Sequence, residues 1–270
     1  MTPTDKELED ANTKTLVPKR RLGATGQLVS LLGLGLVKIG RNEGVKYPAS
    51  FELPTDDQVV ELLREAHRLG ITLLDTAPAY GSSEQRLGQA LQELPELNHD
   101  CVISSKVGER FVNGKSTFDF SESAIKRSVE QTLKHLHRSK LDVVLLHSSG
   151  DDETVLKEHQ PLATLQQLQY EGQIGACGFS GKTLTGGRLA LELGAEVLMI
   201  TLNEEERREL PLLKEAEACG AGVLIKKPIS SGYGAPSVLP ITAQLSISSL
   251  VVGSLSRAHL RENARLLQDS

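Results

Sequence analysis

Four side chains, far apart in the chain, carry groups that suit proton transfer: Asp75, Tyr80, Lys106 and His147. A free tyrosine has a pKa of about 10. A nearby ammonium favours the phenolate and draws that pKa toward working pH. Lys106 can do this for Tyr80, and Asp75 can pair with Lys106 and hold it. His147 can donate a hydrogen bond to a substrate oxygen and orient it. The chemistry such a set suits is proton transfer to a carbonyl oxygen. It contains no nucleophile–base pair and no hydride source, so a cofactor must bring the hydride. Taken singly, each residue has a plain structural use: Asp75 caps a turn, Tyr80 packs on a rim, Lys106 is solvated, His147 satisfies a backbone group. Together they are harder to dismiss, because Lys and Asp at the ends of apolar strands are costly unless paired.

The elements that must position them alternate regularly. Apolar runs at 31–39, 71–77, 101–107, 141–148, 174–180, 196–203, 222–227 and 248–254 read as buried strands. Stretches of helical period lie between them, such as 56–70 with its closing Gly, or the segment opening at Ser121, an N-cap candidate. Such alternation implies parallel βα units. Eight units in about 250 residues is the count of a closed (β/α)8 TIM barrel, an α/β fold. An open doubly wound sheet usually carries G-x-G-x-x-G after its first strand; Gly33 and Gly35 lie inside the first strand and no third Gly completes the pattern. In a barrel, Asp75, Lys106 and His147 fall on adjacent strand tops, with Tyr80 in the loop after Asp75. The seventh unit is irregular: Pro228, Pro236 and Pro240, with Gly232 and Gly234, leave room for one short helix at most. The expected organisation is a polar tail over 1–20 and a single barrel over 21–270.

Composition narrows the function. The 270 residues are 39% hydrophobic and 24% charged, ordinary for a globular chain with a sizeable core. A net charge of -5 lacks the field expected of a nucleic-acid or anionic-membrane binder. No run approaches a membrane helix. Cys101, Cys177 and Cys219 are scattered and odd in number, which suggests neither a disulfide framework nor a metal cluster and points to a reducing, cytoplasmic setting. A monomer or a weak homo-oligomer is expected.

The sequence resembles the aldo-keto reductases from about Arg21 to Leu267. LLDTAPAYGSSEQRLGQAL resembles the segment carrying that family's catalytic Asp and Tyr, here Asp75 and Tyr80. ISSKVG matches the segment of its Lys, here Lys106, and LDVVLLHS that of its His, here His147. GACGFSG resembles the strand whose Ser touches the nicotinamide amide, here Ser180, and VVGSLSRAHLRENARLL resembles the C-terminal cofactor motif. The resemblance implies a (β/α)8 barrel that binds NADPH extended across its strand tops. It places cofactor contacts at Gly253, Ser254, Arg257, His259, Glu262 and Asn263, with Ser254 and the start of the last helix meeting the 2′-phosphate. Lys226 and Lys227, ending the seventh strand, are candidates for the pyrophosphate or ribose. Three positions depart from the family pattern: Gly181 and Met199 stand where Asn and Gln often hold the amide, and His259 where many members have Arg.

The leading expectation is an NADPH-dependent reductase of a small aldehyde or ketone, with Tyr80 as proton donor and no metal. A nicotinamide-binding regulatory or interaction subunit is the alternative, motivated by Gly181 and Met199. A Schiff-base lyase built on Lys106 and a metal hydrolase are weaker, the latter because Asp75 and His147 lack further ligands. Specificity is expected from loops 40–55 and 108–118.

Overall fold

In the computed structural model the described residues are 17–158, 160–268 and 270. Most of the polar segment expected over 1–20 lies outside them. Within them the chain is already ordered before residue 21. Val17 is buried, and Lys19–Arg21 pairs antiparallel with Leu28–Ser30.

The eight barrel strands are β1 (Leu32–Gly35), β2 (Leu73–Asp75), β3 (Val102–Val107), β4 (Leu141–His147), β5 (Ile174–Ser180), β6 (Val197–Thr201), β7 (Gly222–Lys226) and β8 (Ser249–Val252). Each pairs in parallel with the next, and β8 returns to β1, so the sheet closes. The helices that follow are α1 (Asp56–Arg68), α2 (Ser83–Glu93), α3 (Glu122–Leu136), α4 (Pro161–Tyr170), α5 (Leu184–Glu192), α6 (Leu212–Cys219), α7 (Leu239–Ala243) and α8 (Arg257–Leu266). The fold is the expected (β/α)8 barrel.

Local chemistry explains the boundaries. Thr55 and Gln58 close a reciprocal capping box at the start of α1, and Asp56 and Asp57 in its first turn suit the helix dipole. Ser121 caps α3 as read from the sequence, accepting from the Ala124 amide. Gly220 ends α6 in the left-handed conformation. The first strand is shorter than the run 31–39: the sheet stops at Gly35, and Val37–Gly40 turns as a helix. The seventh unit is ordered but abbreviated, with two 3-10 turns before the five-residue α7.

Apolar residues sort into two layers. Leu73, Val143, Leu145, Ala176, Val197, Met199, Leu224 and Val251 fill the barrel interior. The N-terminal hairpin adds Leu22 and Val29 to that cluster and so stoppers the lower end. A larger shell lies between strands and helices. An element not expected from the sequence, the hairpin Glu109–Val112/Lys115–Phe118, stands above β3 and packs on the Pro78–Tyr80 turn.

Candidate active site

The parallel register puts polar residues at one end of the barrel. Asp75 is the last residue of β2, Lys106 the penultimate of β3, and His147 and Ser180 the last of β4 and β5, paired with each other. Tyr80 ends a one-turn 3-10 helix directly after β2.

Lys106 is among the most deeply buried side chains of the molecule. Its ammonium donates to both Asp75 carboxylate oxygens, at 2.7 and 2.8 Å, and to the Thr76 carbonyl at 2.9 Å. All three N–H groups are therefore satisfied. Burial alone would lower the Lys106 pKa, but Asp75 and Tyr80 hold it above the usual value. The same ammonium lies 4.8 Å from the Tyr80 ring centre. The Tyr80 ring meets His147 edge-on, centroids 6.4 Å apart.

One electrostatic expectation is corrected. Burial pushes the Tyr80 pKa up, and the pull of Lys106, though downward as anticipated, does not overcome it while Asp75 and Glu109 push the other way. A phenol in a closed site loses the water that would solvate its anion. Tyr80 thus holds its proton. His147 is pushed below the usual histidine range, first by burial and then by Lys106 and Lys226, against Glu109.

These residues line one cavity of about 310 Å³ with Gly35, Tyr47, Ser180, Lys182, Met199, Lys226, Lys227 and Gly253. Lys226 donates to the Ser180 hydroxyl at 3.1 Å and to the Gly181 carbonyl at 2.6 Å. Burial lowers its pKa to about 8. Lys182, Lys226 and Lys227 make no ion pair among the described residues, so the cavity keeps an excess of positive charge beside the neutralised Lys106–Asp75 pair.

The family model for the aldo/keto reductase family matches residues 31–201, from just before β1 to the end of β6. The chain belongs to the aldo/keto reductase family. It is 40% identical to an aldo-keto reductase structure from Pseudomonas aeruginosa, with 96% of this chain and 98% of that one covered and a TM-score of 0.87. It is 29% identical to L-galactose dehydrogenase of Arabidopsis thaliana, over 87% of this chain and 74% of that protein. It is 32% identical to the NADH-specific methylglyoxal reductase of Escherichia coli, over 58% of this chain and 50% of that protein. As a member of this family it is an oxidoreductase acting on carbonyl compounds, and it works with a nicotinamide cofactor and a small-molecule substrate. No helix among the described residues is long and apolar enough to cross a membrane.

The residues expected to hold the cofactor fall into two groups. Ser180, Lys226, Lys227 and Gly253 line the cavity with the tetrad. Ser254, Arg257, His259, Glu262 and Asn263 lie beyond it, along the start of α8. Ser254 is buried and its hydroxyl is engaged with Ser256, whose own hydroxyl caps α8 through the His259 amide. Arg257, His259 and Glu262 are exposed, Arg257 3.4 Å from Glu61. Asn263 is buried with Oδ1 unpartnered. An orphaned acceptor is what a ligand N–H would satisfy, and the free cations suit phosphates, so the residues present fit a dinucleotide.

The two departures in the amide region have a physical counterpart. A Cβ on Gly181 would stand 2.5 Å from Phe179 Cε1 and 3.1 Å from an Asp152 carboxylate oxygen. Buried Asp152 is fully committed there. It accepts from the Lys182 and Thr183 amides, the Thr183 hydroxyl and the Ser148 hydroxyl. Met199 is buried and apolar. The side chain nearest Ser180 is instead Lys226.

Sequence reading missed two residues of the site. Tyr47 lines the cavity from the 40–55 loop, with the Lys38 ammonium 4.1 Å from its ring centre. Glu109 places Oε2 2.8 Å from His147 Nδ1, at ion-pair distance with the N–H off the line between them. The signal for Glu109 was present: Asn113-Gly114, both at positive φ, is the two-residue turn that specifies a hairpin.

Proposed function

We propose that the protein is an NADPH-dependent carbonyl reductase in which Asp75, Tyr80, Lys106 and His147 are the catalytic residues. The observation that carries this reading is the saturated Lys106–Asp75 pair, buried 4.8 Å from the ring of a Tyr80 that holds its proton, in one cavity with His147.

The cofactor, when bound, supplies the hydride that reduces the carbonyl carbon. As the carbonyl π electrons move onto oxygen, the Tyr80 hydroxyl gives its proton to that oxygen. The phenolate left on Tyr80 is stabilised by the Lys106 ammonium, which reorganises little because Asp75 and Thr76 already fix it. A solvent proton then restores Tyr80. A Schiff-base role for Lys106 is disfavoured by the same bonds, since an amine carrying three satisfied N–H groups has no lone pair to attack with. Ser180, Lys226, Lys227 and Gly253 would hold the nicotinamide half. Ser254, Arg257, His259, Glu262 and Asn263 would hold the adenosine half, with Arg257 and the α8 amides favouring a 2′-phosphate.

The test is NADPH and NADH oxidation against aldehydes, ketones, small dicarbonyls and aldoses. Relatives named for methylglyoxal and for L-galactose motivate the last two. Tyr80→Phe should lower turnover by about 10²- to 10⁴-fold, the usual worth of a general acid, with NADPH affinity by fluorescence unchanged. Wild-type turnover in Tyr80→Phe would overturn the assignment. Tight NADPH binding with no turnover on any carbonyl would favour the regulatory reading that Gly181 and Met199 motivate.

A further inference from the structure

Glu109 begins the hairpin above β3 and is poorly exposed, as is His147. Its Oε1 accepts from the Ser116 hydroxyl at 2.5 Å, across the hairpin. Burial alone would raise the Glu109 carboxyl, but His147, Ser116 and Arg41 bring it down to about 2, so it is an anion at any working pH. Arg41 ties the hairpin to the site from the other side. Its guanidinium lies 3.3 Å from the Phe111 ring centre and donates to the Ala79 carbonyl, next to Tyr80.

An ionised carboxylate only accepts hydrogen bonds. A ring nitrogen 2.8 Å from it must carry a proton, since two lone pairs at that distance repel. A neutral imidazole has one N–H and one bare nitrogen. If the proton is on Nδ1, the bare nitrogen is Nε2.

We propose that Glu109 is a positioning residue that fixes His147 as its Nδ1–H tautomer, so that neutral His147 meets the ligand as a hydrogen-bond acceptor and the site in that state is matched to the alcohol form of its substrate. The proposal rests on reading this cavity as a carbonyl–alcohol site. An alcohol hydroxyl donates to Nε2 while accepting from the Tyr80 hydroxyl. A carbonyl oxygen has no proton to give and is bound by Tyr80 alone. Protonation of His147 adds an Nε2–H and supplies the carbonyl with its second donor. The donor role expected of His147 from the sequence thus belongs to the imidazolium only. The groups around His147 set when that form appears. Lys106 on β3 and Lys226 on β7 oppose it, as burial does, and Glu109 on the hairpin favours it. Ser180 on β5, paired to His147 in register, and Tyr80 beside it are neutral, and Asp75 on β2 is tied to Lys106.

The experiment is long-range ¹H–¹⁵N NMR of histidine-labelled protein, with His147→Asn assigning one of the seven histidines. At neutral pH the wild type should show the Nδ1–H tautomer. Glu109→Gln, which keeps an acceptor, should retain it, and Glu109→Ala should lose it, with NADPH affinity and melting temperature verifying that the variant is folded. Alcohol product should inhibit Glu109→Ala about fivefold more weakly, the size of one neutral hydrogen bond. For carbonyl reduction, kcat/KM should rise toward acid with a midpoint below the ordinary histidine value of about 6.5, and the midpoint should fall further in Glu109→Gln. An Nε2–H tautomer in the wild type, or a tautomer unmoved in folded Glu109→Ala, would overturn the proposal. The tautomer is read without turnover, so an inactive wild type showing Nδ1–H would remove the carbonyl-reductase reading while leaving the role of Glu109 standing.

Discussion

The two ends of the ligand cavity are built differently. At the tops of β2, β3 and β4, Asp75 and Lys106 are saturated with bonds to one another and to the backbone. At the tops of β7 and β8 and the start of α8, Lys227, Arg257 and His259 are exposed and Asn263 keeps an orphaned oxygen. The first arrangement is complete without a ligand, the second is finished by one. A reacting centre gains from groups that need not move, since reorganisation during the reaction adds to the barrier. A docking surface gains from polar groups left unsatisfied, because each then contributes when the ligand arrives.

Four changes would break or sharpen this contrast. Asp75→Ala strikes the completed end and leaves Lys106 as a buried charge without its counter-ion. It should cost about 3–5 kcal/mol of stability in urea unfolding, and a loss below about 1 kcal/mol would show that the pair is not structurally committed. Gly181→Asn restores the residue type many family members have, but its Cβ falls against Phe179. The expected outcome is about 1–3 kcal/mol of destabilisation without tighter NADPH binding. Arg257→Ala acts only at the open end. Fluorescence titration should show about fivefold weaker NADPH binding, unchanged NADH binding and an unaltered melting temperature, because its pairing with Glu61 is exposed and worth little.

The smallest effect is electrostatic. Lys226 is held at about 8 against an ordinary 10.5. Between those values the unfolded chain binds the proton more firmly than the folded one, so stability rises with pH across that window. Below about 8 both states are charged and the slope vanishes. In paired wild-type and Lys226→Met unfolding curves, the variant should lack this rise. Equal slopes would mean that the ammonium is solvated through the cavity mouth.

Much of this was legible from residues alone, for identifiable reasons. Buried parallel strands must be apolar throughout, so β4 and β5 stand out as LDVVLLH and IGACGFS, and a Lys or Asp ending such a run is conspicuous. The hairpin at 109–118 is harder to see because one strand is exposed throughout and the other half-exposed, so burial leaves no pattern to read. Only its turn residues betray it. The net direction of the Tyr80 shift could not be read either, since the neighbours of Tyr80 are named by sequence but the depth of its burial is a property of the closed barrel. The crowding that accompanies Gly181 likewise comes from Phe179 and from Asp152, 29 positions earlier in the chain.

The stopper formed by Leu22 and Val29 has a consequence for traffic. With the lower end plugged and the interior filled, the way to Tyr80 and Lys106 is through the strand tops, and arrivals share it with departures. A long molecule lying across that opening acts as a door for any smaller one beneath it. The order in which the two come and go is then a property of a dead-end passage, fixed by a few apolar residues at the opposite end of the barrel from the chemistry.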